Sequence, residues 1–410
     1  MTNGYSSIIE PARDRAGNDP IFSLYGEALG RIAAGESILN LTMGALMTDA
    51  GHLCTLPTVL ETLDRAQGER ASGYSPIAGV PDFRRAVVHD LFGNSSLADQ
   101  ALSVATPGGS GAIFQAVVNF LEPHQKMLVP SFYWGPYSEV THHTRREVDT
   151  FPMFTAEGAF DIEAMAAGLD RHMTEQGRAL LVLNFPCHNP TGYTLSQDEW
   201  QKIASIVRRV GALGPLTVLI DVAYMEFAGP EARTWTEAVP ELLESSTVLV
   251  SWTASKSLAQ YGARVGALVA LHRDETERSQ IENALGYSCR ATWSNCNHLG
   301  QIAVAELLTD PSLVERTRAE RAGLQALLQE RIEAFNQQAT VAGLQTPRYD
   351  SGFFVAVFTE DELVTAAAMR ELGVYITPIP GAARVAICAT PASAVPRLVE
   401  ALRVGVAAAE

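Results

Sequence analysis

Five continuous apolar runs of strand length, Met127–Val129, Ala179–Leu183, Leu216–Ile220, Val248–Trp252 and Val265–Leu271, recur at helical spacing between about residues 100 and 270. A strand that is apolar throughout must be covered on both faces, whereas one with a wet face alternates. The runs therefore predict a mostly parallel sheet between layers of helices, an α/β core. From Ser312 to about Asn336, Leu313, Val314, Leu324, Leu327, Leu328 and Ile332 recur among Arg and Glu, which predicts a long amphipathic helix leading out of that core. Beyond it, Phe353–Phe358, Val374–Thr377 and Arg384–Cys388 read as strands of a second, smaller unit, closed by a helix from Ala394 to about Val406. The N-terminal stretch has no sheet of its own and is expected to join that unit. The predicted division is a large domain over 56–319 and a small α/β domain formed by 1–55 with 320–410.

With 410 residues, 47% of them hydrophobic, the chain can fill two cores. Its formal net charge of −16 opposes nucleic acid or an anionic membrane as principal partner, yet leaves room for a local basic pocket around a small anion. The five cysteines, Cys54, Cys187, Cys289, Cys296 and Cys388, show no Cys-x-x-Cys spacing and suit a reducing compartment. The start, Met1-Thr2-Asn3-Gly4-Tyr5, lacks a basic region followed by an apolar one, and no run approaches the length that crosses a bilayer. A cytoplasmic protein with no membrane association is expected.

Chemistry gathers at the ends of the apolar runs. Lys256 follows Val248–Trp252 among small hydroxyl residues, with Arg264 eight residues later. Desolvation and a neighbouring cation lower an amine's pKa, and such a lysine can hold an aldehyde cofactor as a Schiff base; a lysine in a solvated loop is the plainer reading. Thr106-Pro107-Gly108-Gly109-Ser110-Gly111-Ala112 precedes a helical stretch from Ile113 to Leu121, so Gly109 and Ser110 fit either a tight turn or a phosphate-binding helix start. Arg264 would add a charge to the same phosphate and Thr253 or Ser255 a hydroxyl; otherwise Arg264 makes an ordinary ion pair. Asp221 ends Thr217–Ile220, where open α/β sheets place ligand chemistry, and suits a protonated ring nitrogen as well as it suits a helix cap. Tyr224, and Asn189 in the Asn189-Pro190-Thr191-Gly192 turn, offer donors to a ring oxygen, or simply pack and turn the chain. His188 and the adjacent His142 and His143 have no second ligand at metal-binding spacing, so no metal is expected.

The joint order is more specific than any single motif. Glycine loop, Phe132-Tyr133-Trp134, Asn-Pro-Thr-Gly, Asp-x-x-Tyr, Ser-Lys and Arg together resemble the class I aminotransferases, fold-type I enzymes that use pyridoxal 5'-phosphate. Asn40–Gly44, Gly73–Phe83, Cys187–Gly192 and Arg290–Asn295 are similar to the aspartate and aromatic (tyrosine) aminotransferase branch, and the resemblance covers nearly the whole chain. It implies a large domain with a seven-stranded type of sheet and a smaller α/β domain. It also implies roles: Lys256 for the Schiff base, Asp221 for the pyridine nitrogen, Asn189 and Tyr224 for the ring oxygen. Gly109, Ser110, Thr253 and Arg264 would hold the phosphate, and Trp134 would stack on the ring. Tyr74 would reach the phosphate from a neighbouring subunit, which implies a homodimer with shared active sites. Among substrate contacts, Arg384 would grip the α-carboxylate, Arg290 the distal carboxylate across the dimer, and Gly44 the entrance; Trp134 and Asn189 would also touch substrate. The implied reaction is a ping-pong transfer of the amino group between an aspartate, glutamate or aromatic amino acid and a 2-oxo acid such as 2-oxoglutarate, with Lys256 moving the α-proton.

Three departures stand out. Pro136 and Tyr137 occupy positions where the branch leads one to expect Asn and His, the chain is a few residues longer between Thr377 and Ala383, and Met43 and Met47 make an apolar mouth around Gly44. Rival readings are a C–S lyase or decarboxylase with the same cofactor, which the second carboxylate clamp Arg290 opposes, and a ligand-sensing regulatory module. The acidic balance and the short stretch before Gly73 oppose a basic DNA-binding segment. A dehydrogenase fails on the glycine spacing.

Overall fold

The computed structural model describes residues 6–13, 15, 20–229 and 233–410. Met1–Tyr5, on which the reading of the chain's start rested, lie outside them. Among the described residues twelve strands run in chain order: β1 (Leu39–Asn40), β2 (Ala101–Pro107), β3 (Lys126–Pro130), β4 (Glu147–Phe151), β5 (Ala179–Leu183), β6 (Leu216–Asp221), β7 (Thr247–Thr253), β8 (Val265–Leu271), β9 (Phe354–Phe358), β10 (Val374–Tyr375), β11 (Thr377–Ile379) and β12 (Ala382–Ala386).

β2 to β8 form one seven-stranded sheet in the order β2-β8-β7-β6-β5-β3-β4. Neighbours from β7 to β4 are parallel, while β8 runs antiparallel to both β7 and β2. Every residue of β5, β6, β7 and β8 is buried, which is why these four read as unbroken apolar runs. The two edge strands announce themselves less clearly. β4, Glu-Val-Asp-Thr-Phe, leaves Glu147 and Thr150 exposed, and β2 is fully buried only at its centre.

The long helix anticipated from Ser312 runs over Pro311–Val341, started by Asp310, whose carboxylate accepts from the Ser312 and Leu313 amides. Its far half packs on a second core that includes Leu41, Leu46, Phe353, Val355, Val385 and Leu402. There β11, β12 and β9 form an antiparallel sheet, and β1, from the N-terminal stretch, pairs in parallel with β10. The helix Val395–Ala409 closes it and carries the alanine-rich tail nearly to the chain's end. Extra residues before Arg384 are accounted for by the β11–β12 hairpin, whose turn places Gly381 at φ +76° and sets Arg384 opposite Thr377. Arg331, fully buried in the long helix, ties the two ends of this region together: it donates to the Met47 and Cys388 carbonyls, both at 2.8 Å, and to Asp49 at 2.6 Å.

Candidate active site

Open α/β sheets bind ligands beyond the carboxyl ends of their strands, and here three such ends converge. β5 leads to Asn184 and Asn189, β6 ends at Asp221, and β7 ends at Thr253, three residues before Lys256. β2 delivers Gly109 and Ser110 to the same place, because Pro107 pairs with Val265, the residue after Arg264. A cavity of about 220 Å³ lies between them. Nine predicted residues line it: Gly109, Ser110, Trp134, Asn189, Asp221, Tyr224, Thr253, Lys256 and Arg264. Asn184, Ala223, Ser255 and Tyr261 complete the wall. Asn184 and Tyr261 were not singled out by sequence; each lies five residues from a chosen one, Asn189 and Lys256, and that spacing is the only signal they carry.

At one end the helix Gly108–Phe120 begins without an acidic residue in its first turn, so its free N–H groups suit an anion. It starts earlier than Ile113 because Gly108 adopts φ +72°, open to glycine at little steric cost. A Cβ there would strike the Arg264 guanidinium. That guanidinium donates to Ser255 Oγ at 3.3 Å and to the Tyr261 and Pro107 carbonyls at 3.0 and 3.2 Å, which fixes it beside the helix start. Thr253 caps the short turn Ala254–Ser257, accepting from the Ser255 amide at 3.2 Å and donating to Ser255 Oγ at 3.0 Å.

At the other end Asp221 is 6% exposed. Burial pushes its carboxyl up to about 6, against the hydrogen bonds from Tyr137 and the Ala223 amide that favour the charged form. Tyr137 Oη donates to Asp221 Oδ2 at 2.9 Å, and the Asn184 amide donates to the Asp221 carbonyl at 3.0 Å. Between the ends, Lys256 Nζ donates to the Gly44 carbonyl at 2.7 Å and sits 4.4 Å from the Tyr261 ring centre. Burial brings its pKa down to about 8, and the charges of Arg384 and Arg264 act in the same direction. Asn189 Nδ2 donates to Tyr224 Oη at 3.3 Å, while Asn189 Oδ1 is buried with no partner among the described residues. Burial raises the Tyr224 phenol far above its ordinary range, so it stays neutral.

Arg384 stands at the centre of β12, opposite Ala356 and Thr377. It donates to the Thr42 carbonyl at 2.8 Å and to Thr377 Oγ1 at 3.0 Å, and its guanidinium lies 4.7 Å from the Phe354 ring centre. Gly44 is packed so closely against the Phe354 ring that a side chain there would collide with it. Tyr74 and Arg290 lie elsewhere. Tyr74 is 92% exposed, and Arg290, at the end of the helix Glu275–Thr292, is exposed and donates to Ser294 Oγ. Their segments share one face: Cys289 bonds the Ile77 carbonyl, Ser75 the Cys296 carbonyl, and the His298 ring meets the Gly73 carbonyl. His188 is buried against Phe185 and bonds Thr191 Oγ1 at 2.8 Å; burial holds it neutral, with its pKa down at about 3.

A larger groove, about 1000 Å³, runs past Asp90, Glu226, Arg233 and Arg321. These groups engage one another or a neighbouring ring: Glu226 bonds Arg233 and Arg321 at 3.0 and 2.6 Å, and Trp252 donates to Asp90 at 2.9 Å. The smaller cavity is the chemical one. An anion cradle, a flat aromatic wall at Trp134, an amine of depressed pKa and a buried carboxylate fit, in that order, the phosphate, ring, aldehyde and ring nitrogen of pyridoxal phosphate. The partnerless Asn189 Oδ1 is a further sign that the wall is built for a polar ligand.

The profile of the family described as aminotransferase class I and II matches residues 36–402. An aromatic-amino-acid aminotransferase of Paracoccus denitrificans is 30% identical over 305 residues, which is 72% of this chain and 74% of that one. A tyrosine aminotransferase of Klebsiella pneumoniae is 28% identical over 88% of this chain and 92% of its own. A crystal structure of an aminotransferase from Anaerococcus prevotii superposes with a TM-score of 0.94 at 29% identity, covering 99% of this chain and all of that one. The chain belongs to the class I and II aminotransferases and is a pyridoxal-phosphate-dependent transaminase with the fold-type I architecture.

Proposed function

We propose that this transaminase exchanges the amino group between a dicarboxylic or aromatic amino acid and a 2-oxo acid such as 2-oxoglutarate. The observation that carries the reading is the placement of the Lys256 amine and the Asp221 carboxylate on one cavity, with Arg384 near enough for its charge to depress the lysine's pKa. When bound, pyridoxal phosphate supplies an electron sink for the charge left as the α-proton departs. Lys256 would hold the aldehyde and then carry that proton, a task suited to an amine whose pKa lies near working pH. Asp221 would keep the ring nitrogen protonated. Asn189 and Tyr224 would serve the ring oxygen, with Trp134 against the ring face. Gly109, Ser110, Thr253 and Arg264 would hold the phosphate. Arg384, a planar fork already oriented by Thr42 and Thr377, would take the α-carboxylate, with Gly44 beside it at the entrance.

The acidic side chain needs a second cation. Arg290 lies on an exposed face with Tyr74, Ile77 and Tyr287, large apolar side chains that are 92%, 44% and 79% exposed. That face supports a homodimer in which Tyr74 and Arg290 complete the partner's site. The core clusters packed on the seven-stranded sheet, distinct from the one around Phe353 and Leu402, support a large unit over 56–319 and a small one from 1–55 with 320–410. Five buried, unpaired cysteines fit the reducing cytoplasm, and no helix among the described residues is long and apolar enough to cross a membrane.

A panel of amino acids with 2-oxoglutarate as acceptor, run on the wild type and Arg290→Ala, tests the substrate reading. Acidic donors should lose tenfold or more in kcat/KM, the order expected for one charged hydrogen bond, while aromatic donors stay close to wild type. Equal loss on both classes, or none on either, would refute it.

A further inference from the structure

Among the described residues, Tyr137 is the one group from outside β6 and the turn that follows whose side chain hydrogen-bonds the Asp221 carboxylate; the Asn184 amide reaches only the Asp221 carbonyl. It sits in the first turn of the helix Pro136–His143, 1% exposed, with its hydroxyl 2.9 Å from Asp221 Oδ2. Packing leaves it little freedom. The Trp134 ring meets it edge-on at 5.5 Å and the Tyr133 ring lies parallel to it at 6.5 Å. A carboxylate only accepts, so the phenol must donate, and a donor on Oδ2 turns the carboxylate's remaining acceptor capacity toward the cavity that Asp221 lines.

The groups able to compete are few. β5 and β7, which flank β6, and the helix Gly108–Phe120 packed against it contain no titratable side chain. The helix Gln197–Gly211 turns its buried Glu199 to Tyr193 and Ser196. Tyr224 follows from the next turn, and Lys256 and Arg264 face Asp221 only across the cavity. Tyr137 alone therefore opposes the desolvation of this carboxylate with a side-chain bond.

We propose that Tyr137 is the positioning residue for Asp221: a neutral phenol that keeps the carboxylate ionised and aimed at the cofactor's ring nitrogen. Burial and the neighbouring carboxylate hold the phenol far above its ordinary pKa, so its charge is constant across the working pH range. An imidazole in the same place would change charge between about pH 5 and 8. With tyrosine the electron-withdrawing end of the site has no second group titrating near neutrality. The inference rests on the reading of Asp221 as the ring nitrogen's partner.

The test uses the holoenzyme loaded with pyridoxal phosphate isotope-labelled at the ring nitrogen. Three variants, Tyr137→Phe, Tyr137→His and Asp221→Asn, are compared with wild type by NMR of that nitrogen, by visible absorbance against pH and by cofactor dissociation. Tyr137→Phe, which loses one oxygen, should move the nitrogen signal toward the unprotonated form and weaken cofactor binding roughly tenfold. Tyr137→His should restore the signal at low pH and add a step to the absorbance titration that wild type lacks. If Asp221→Asn shifts the nitrogen signal while both Tyr137 variants match wild type, the role of Tyr137 is overturned. If Asp221→Asn itself leaves the signal unchanged, the underlying assignment of Asp221 falls, and the inference with it.

Discussion

Lys256 feels two opposed influences. The Tyr261, Tyr224 and Phe353 rings, 4.4, 5.6 and 5.6 Å from its nitrogen, favour the ammonium, whereas burial and the charges of Arg384 and Arg264 favour the free amine. Burial is the largest influence, and the net result is a pKa lowered from 10.5 to about 8. Only the unprotonated amine attacks an aldehyde. Stripped full-length protein should therefore take up pyridoxal phosphate faster as pH rises and level off above about 8, followed by absorbance in stopped flow. A flat rate across that range would contradict the assignment, and Lys256→Ala should lose turnover by orders of magnitude. Lys256, Asp221 and Asn189 were legible because a reactive or polar residue at the end of an apolar run is conspicuous. The bond between Tyr137 and Asp221 was not: 84 residues separate the two, and only the fold brings a tyrosine from a helix start beneath the end of β6. The substitution was visible in the sequence; its partner was not.

The elements were legible in proportion to their burial. β5, β6, β7 and β8 are covered on both faces and appear as unbroken apolar runs, while β4 at the sheet's edge mixes exposed Glu147 and Thr150 with buried Phe151 and gives no such signal. The helix Gly108–Phe120 shows how an element boundary becomes chemistry. Its start depends on a glycine at φ +72° that lets the chain pass from β2 into the helix under the Arg264 guanidinium. Gly108→Ala asks an L-residue to adopt a left-handed backbone, at about 1–2 kcal/mol, and drives a methyl group into Arg264. Thermal denaturation should show the loss of stability, and titration with pyridoxal phosphate should show affinity reduced about tenfold or more, the worth of a charged contact. Unchanged affinity would mean that Arg264 does not hold the phosphate. Arg384 was legible in type but not in register, since a hairpin lengthens the sequence without moving its end: β11 and β12 fold back so that Thr377 and Arg384 stand side by side.

Across the whole molecule, the face that carries Tyr74, Ile77, Tyr287 and Arg290 decides whether one chain is a complete catalyst. If Arg290 serves the partner's cavity, Lys256→Ala and Arg290→Ala subunits are each deficient toward acidic donors but complementary. Mixing them and allowing exchange should restore part of the activity, because one site of the mixed dimer then holds both native residues. Absence of recovery, with exchange verified by labelled subunits, would mean that Arg290 acts within its own chain or not at all. The long helix and the strands beyond it were legible in the sequence, whereas the meeting of the loop after β1 with the end of β7 was not. The bond from Lys256 to the Gly44 carbonyl crosses that meeting, linking the end of β7 to the loop that follows β1. Were Lys256 to take up an aldehyde as proposed, its nitrogen would keep at most one proton, and loading the enzyme would slacken this tether on the loop that follows β1.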